Sequence, residues 1–417
     1  MSSELLFTPC AGVPGHSTQA GALPLRVATF SLRHLLYSWL RYGLALMLFL
    51  LSLASFAFQN PTEVPSMHSD KAASSPLTAV AKAGDRMVAV GQRGHILWSD
   101  DAGLSWTQAS VPVSNDLVAV SFASASHGWA VGHGGVVLNS EDAGQSWTLQ
   151  LNGEQTTDLI RNYYQSRIGD EEFADAEMLL ERENVLVSFG GTQPLMDVYF
   201  EDELNGYVVG IFNRLLRTRD GGQSWEPWAH RVDNPHELHF YSINVGADGL
   251  YITGEQGMVW RLDEERQFFD SVATPYTGTL FGSAVGSDRV VVFGMRGNAY
   301  LSTDQGQNWQ HLEIDSAAGI TDGVIVGNDA IVLVNLAGEL LVSTDRGVSF
   351  ESQPVARVMP FYGLAQISST QLALVGAEGA QQLAVATPDA VSRESRVSLF
   401  SVDSVVTNSV EHRNAKQ

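Results

Sequence analysis

One eight-residue pattern, Ser/Thr-x-Asp-x-Gly-x-Ser/Asn-Trp/Phe, occurs five times in this chain, and its recurrence limits the fold more than composition does. The copies are built around Asp101, Gly103 and Trp106; Asp142, Gly144 and Trp147; Asp220, Gly222 and Trp225; Asp304, Gly306 and Trp309; and Asp345, Gly347 and Phe350. Their Asp positions step by 41, 78, 84 and 41 residues, and a worn copy at Asp263 divides the 84 into 43 and 41. A repeat near 40 residues, made of short strands with aromatic and glycine marks, is the sequence of a β-propeller blade rather than of a helical solenoid.

Each repeat carries a second mark upstream, a strand ending in glycine with another glycine three residues on: Gly91 and Gly94, Gly132 and Gly135, Gly254 and Gly257, Gly294 and Gly297, Gly376 and Gly379. Degenerate copies at Gly210 to Asn213 and Asn335 to Gly338 bring the count to seven. Gly and Asn supply the positive φ that a tight hairpin needs. We therefore expect an all-β, seven-bladed propeller with blades at 76–110, 115–150, 194–229, 238–273, 278–314, 319–353 and 360–400.

The octet chemistry is structural. A carboxylate in a tight hairpin accepts hydrogen bonds from turn amides that otherwise lack partners, glycine relieves the backbone, and the aromatic ring packs between blades. Five equivalent Asp residues cannot share one active site. In a four-stranded antiparallel blade the octets form third-to-fourth turns, so the Gly-x-x-Gly turns and the interblade links share the opposite face.

Residues 1–57 read as an N-terminal extension followed by a signal peptide or membrane anchor, with Arg33 and Arg41 preceding an apolar run and Ser55-Phe56-Ala57 as a cleavage site. An uncleaved span over 35–58 is the alternative, and both readings place the propeller outside the cytoplasm, in the periplasm for a bacterial envelope. About 25 residues before the basic segment are long for a signal region, so a start near Leu25 is an open option. The one cysteine, Cys10, lies in this removable part, leaving no disulfide in the rest. Without residues 1–57 the chain has 21 basic and 45 acidic residues, a balance that repels nucleic acid. Residues 58–75 read as a linker and 401–417 as a tail, and either 58–72 or 397–402 is able to complete the last blade.

Between the second and third blades, residues 151–193 change period. Leu159, Ile160, Tyr163, Tyr164 and Ile168 fall at helical spacing after a start at Thr156-Thr157-Asp158, and a second helix is expected from Glu171 to Glu183. The segment reads as a helical hairpin inserted in an interblade link, on the Gly-x-x-Gly face. Long loops on repeat scaffolds carry function or cap the scaffold. Candidate partner-binding residues on that face are Arg93, His133, Arg214 and Arg296 at the turns, with Tyr163 and Tyr164 on the insertion; basic groups there suit a carboxylate or phosphate. His230, His236 and His239 cluster in the next link, but an extended strand start at Leu238 turns His236 and His239 apart. No metal, cofactor or catalytic residue is expected.

The octets, the Gly-x-x-Gly turns and phrases such as Leu195-Met196-Asp197-Val198-Tyr199-Phe200 with Asn205-Gly206-Tyr207-Val208-Val209-Gly210 resemble BNR, or Asp-box, repeat propellers, and among them the photosystem II assembly and stability factor family. The resemblance covers about 76–400. It implies an extracytoplasmic seven-bladed propeller that binds a membrane-protein intermediate without catalysis; the small-molecule ligand, if any, stays open. The chain departs from the photosynthetic members in having Gln256, Ala337 and Glu378 where rim arginines are expected, and in its larger helical insertion. The implied role is therefore that of a bacterial assembly or accessory factor for a membrane complex or envelope transport system. The alternative is sialidase-like glycoside hydrolysis, which needs three converging arginines and a Tyr-Glu pair.

Overall fold

The computed structural model describes residues 37, 39–45, 47 and 59–385 apart from 172, 190–191, 247–248 and 328. The chain divides into two units, Met1–Phe58 and Gln59–Gln417. In the first, residues 37, 39–45 and 47 are helical and exposed. No helix among the described residues is long and apolar enough to cross a membrane. The cleavage site after Ala57, Cys10 and the tail 401–417 lie outside the described residues.

The second unit is the seven-bladed propeller. Blade 1 runs from β1 (Leu77–Ala83) to β4 (Thr107–Gln108), blade 2 from β5 (Leu117–Phe122) to β8 (Thr148–Leu151), and blade 3 from β9 (Leu195–Phe200) through β11 (Arg214–Thr218) to β12 (Glu226–Pro227). Blade 4 begins at β13 (Phe240–Gly246), blade 5 at β17 (Leu280–Val285) and blade 6 at β21 (Ile320–Val326). Six sheets have four strands in sequence order; the seventh, β25 (Phe361–Ser368), β26 (Gln371–Gly376) and β27 (Gly379–Ala384), has three among the described residues. The second and third strands are mostly apolar and mostly buried, as in Arg86–Gly91, where all but Arg86 are buried, and Val137–Ser140, because each sheet is covered on both faces by its neighbours.

The Asp-box geometry repeats. In blade 2 the Asp142 carboxylate accepts the Ser146 amide at 2.9 Å, the Ser146 hydroxyl at 2.6 Å and the Ser140 hydroxyl at 2.8 Å, while Ser140 Oγ takes the Gly144 amide at 2.9 Å. Trp147 closes the turn by donating to the Gly144 carbonyl at 3.1 Å, and its ring is buried between blades 1 and 2. Hydrogen bonds, that from the Ser105 hydroxyl first, hold Asp101 down to about 2, and those from Ser349 do the same for Asp345.

At the Gly-x-x-Gly turns the two glycines act differently. The first is extended, with φ −170° at Gly91, and glycine is required because a Cβ there would stand 2.3 Å from the Pro76 carbonyl oxygen. The second takes positive φ, 71° at Gly257, where a Cβ would meet the Tyr276 oxygen at 1.9 Å. The residue before it is left-handed as well: Arg93, Gln256 and Arg296 have φ of 56°, 56° and 58°. Two successive positive-φ residues give the turn whose twist matches the flanking strands.

Residues 59–75 form two short 3-10 turns, Pro61–Glu63 and Ala72–Ser74, and no strand. The Ser114 amide donates to the Pro61 carbonyl at 2.8 Å and the Ser66 amide to Val111 at 3.0 Å, which binds this segment to the link between blades 1 and 2. It therefore does not complete blade 7, correcting one of the two closures open from sequence; residues 397–402, the other, lie outside the described residues. Blade 7 packs on blade 1 through Ala373 and Val375 against Leu77, Met87 and Leu97.

All seven inner strands carry a register irregularity near their first residues. They surround a channel cavity of about 380 Å³. Two carboxylic acids sit in its wall. Asp197 accepts the amides of Val198 and Ile243, and Asp322 those of Gly323 and Leu364, so each ties its inner strand to that of the next blade. Enclosure raises Asp197 to about 7 and Asp322 to about 6, and the amide hydrogen bonds oppose that rise.

Candidate functional site

The helical hairpin is built from α1 (Gly153–Gln165) and α2 (Ala176–Ser188). The first helix starts three residues before the expected Thr156, because Asn152 and Gln155 form a reciprocal capping box. The second starts at Ala176 rather than Glu171 and runs past Glu183 to Ser188. Apolar positions Ile160, Tyr164 and Leu179 face inward and join Leu151, Leu195 and Leu216 in one buried cluster. This is where the insertion is fastened to blades 2 and 3.

Polar contacts fix its orientation. Gly153, the first residue of α1, lies against the blade 2 turn at Gly135 so closely that a Cβ on Gly135 would be 2.8 Å from the Gly153 Cα. Glu183 on α2 receives both terminal nitrogens of Arg214 from β11, at 3.0 and 3.2 Å, with side chains only 4% and 6% exposed. Next to it, Arg182 donates to the Phe212 carbonyl at 2.7 Å and pairs with Glu237 at 3.2 Å. The hairpin thus sits on the turns of blades 2 and 3, on the Gly-x-x-Gly face.

Two of the six candidate contact residues are corrected by this packing. Arg214 is buried and committed to Glu183, and Tyr164 is 2% exposed within the hairpin core, so neither offers a surface to a partner. Tyr163 is half-buried and donates to Glu226 at 3.1 Å under the guanidinium of Arg167. Burial, and then the charge of Glu226, push the Tyr163 hydroxyl upward, which opposes a nucleophilic role for this Tyr-Glu pair. Arg93, His133 and Arg296 are exposed at the turns of blades 1, 2 and 5. The backbone at Arg93 is clamped, its amide donating to Asp116 at 2.8 Å and its carbonyl accepting the Ser66 hydroxyl at 3.0 Å.

His230 lies under the hairpin, 4.7 Å from the Phe173 ring, and burial with the nearby Arg231 lowers it to about 4. His239 approaches Glu255 at 3.3 Å, while His236 is exposed. Sequence reasoning missed Arg182, Glu183 and Glu237, whose partners lie far along the chain, and it missed the outward side of α2. There Met178, Val185 and Phe189 are 60%, 44% and 82% exposed.

The family model described as photosynthesis system II assembly factor YCF48 matches residues 73–157, 99–173 and 176–328, which together exceed half of the chain. The chain belongs to this family. Among curated YCF48 relatives, the photosystem II assembly lipoprotein Ycf48 of Synechococcus sp. (strain CC9902) is 29% identical over 137 residues, covering 30% of this chain and 39% of the relative. The photosystem II assembly protein Ycf48 of Thermosynechococcus vestitus is 30% identical over 134 residues, covering 31% of this chain and 38% of the relative. The matches thus span about two fifths of those relatives' length. In fold, the chain is similar to a solved YCF48 bound to D1 peptide, with TM-score 0.56 at 17% identity over 78% of this chain and 99% of that one. YCF48 from Cyanidioschyzon merolae superimposes with TM-score 0.56 at 15% identity over 75% and 96% of the two chains.

Proposed function

We propose that this chain is a non-catalytic, extracytoplasmic binding scaffold, an assembly or accessory factor that holds a membrane protein or envelope complex against the face carrying the Gly-x-x-Gly turns and the hairpin. The observation that carries the reading is the seating of the hairpin: a buried bidentate ion pair fixes a two-helix insertion on that face. A rigidly held insertion presents a surface without paying ordering entropy at binding. Family membership supports the assembly role, and the D1 peptide held by a solved YCF48 supports a membrane-protein partner. Relatives named as lipoproteins support a membrane-associated, extracytoplasmic setting. Arg93, His133 and Arg296, with Tyr163 at the hairpin edge, are the residues we assign to contact.

The glycoside hydrolase alternative needs three free arginines around one carboxylate. Arg214 is already neutralised by Glu183, which leaves that clamp incomplete. The test is affinity purification from gently solubilised membranes, comparing the intact chain with a variant whose residues 153–192 are replaced by a short Gly-Ser linker. Recovery of a membrane protein by the intact chain and its loss with the replacement is expected. Equal recovery by both defeats the assignment of the hairpin.

A further inference from the structure

The second helix of the hairpin has two apolar faces, and the first helix together with the propeller covers one of them. Ala176, Leu179 and Leu186 are buried beside Glu183. Met178 and Val185, with Phe189 at the helix end, are spaced by seven and four residues, which aligns them on a separate, outward stripe. Along the far side of that stripe stand Glu177 and Glu181, both exposed and one turn apart, and Asn184 and Ser188 continue the row. On its near side, Arg182 is turned away to Glu237 and the Phe212 carbonyl. The first half of the stripe thus has an acidic border, and the second half a neutral one.

Resting on the binding-scaffold reading above, we infer that this stripe seats an amphipathic helix whose apolar face is flanked by Lys or Arg, contributed by the membrane-protein partner. Charge complementarity selects that occupant. An anionic lipid surface is repelled by Glu177 and Glu181 and by a chain of net charge −22. A second copy packed stripe on stripe brings the same border, which carries two carboxylates and no cation to meet them.

The test uses the full chain and a labelled peptide of about 18 residues, long enough for five helical turns, with Leu on one face and Lys on the other. A Leu/Glu peptide of the same pattern is the counterpart. Binding is followed by fluorescence anisotropy. The M178S/V185S/F189S variant, which alters exposed side chains and no charge, is expected to weaken Leu/Lys binding at least about tenfold. The E177K/E181K variant keeps the stripe and is expected to prefer the Leu/Glu peptide. Unchanged binding in the serine variant, or unchanged peptide preference in the lysine variant, overturns the inference. So does a stripe-dependent flotation on phosphatidylcholine/phosphatidylglycerol vesicles, or a dimer that the serine variant dissolves. In the membrane purification, a serine variant that recovers the partner fully while the linker replacement loses it defeats the stripe alone. If neither change affects recovery, the assignment of the hairpin as the docking element fails with it.

Discussion

Glu183→Ala is expected to cost about 3–5 kcal/mol, because it leaves the Arg214 guanidinium buried and unpaired. The two side chains are 4% and 6% exposed, and the pair has two hydrogen bonds at 3.0 and 3.2 Å. Arg214→Ala strands Glu183 in the same way and belongs in the same range. A paired change, Glu183→Leu with Arg214→Met, removes both charges and fills the volume. It should recover most of the loss, since a buried pair replaced by apolar groups is often close to neutral. Urea unfolding measures the cost, and hydrogen exchange locates it. Faster exchange confined to the two helices, with blade amides still protected, identifies a detached hairpin on an intact ring. A single alanine variant with wild-type stability shows that the pair fastens nothing.

The second large effect is on pH dependence. Asp197 and Asp322, raised to about 7 and about 6 by enclosure in the channel wall, hold protons in the folded state that the unfolded chain has released above its ordinary value of 3.8. The folded state binds more protons in that window, so stability falls as pH rises through it. Between pH 5 and 8 the loss expected from the two groups is about 2–4 kcal/mol. His230, lowered to about 4, acts in the opposite sense: it is buried neutral, and its contribution grows as pH rises toward 6.5. The comparison that isolates the acids is the slope of unfolding free energy against pH in wild type and in D197N/D322N. Asparagine imposes a constant loss at each lost acceptor, but the wild-type slope is expected to be the more negative over pH 5–8. Parallel slopes mean that both carboxylates are ionised in the folded protein.

The seven blades are legible in the sequence because the octet and the Gly-x-x-Gly turn are local. The partners of Asp142 each lie within four residues of it, so the chemistry of the hairpin is written in one short word. The helical insertion is legible from its spacing, and its first boundary is readable from Asn152 and Gln155. The second helix has no side-chain cap at Asp175, so no local residue marks its start, which departs from the expected one. Arg214 departs for a different reason: its partner is 31 residues away on an inserted element. A rim position and a buried one look alike in sequence until the insertion is folded onto the ring. The first glycine of each turn also has a cause that spacing does not show, since a close approach to the backbone just before the first strand of the blade, as at Pro76 and Asp116, leaves no local mark.

Site-specific photo-crosslinking in intact membranes tests the central claim most directly, with the reactive side chain placed in turn at Met178 and Arg296 on the hairpin face and at Leu104 and Val348 in the Asp-box turns. Leu104 and Val348 are 73% and 75% exposed, so the comparison is one of face rather than of accessibility. Adducts to one membrane protein from Met178 and Arg296, and none from Leu104 or Val348, are the expected result. The same adduct from the Asp-box turns, with none from the hairpin face, contradicts it.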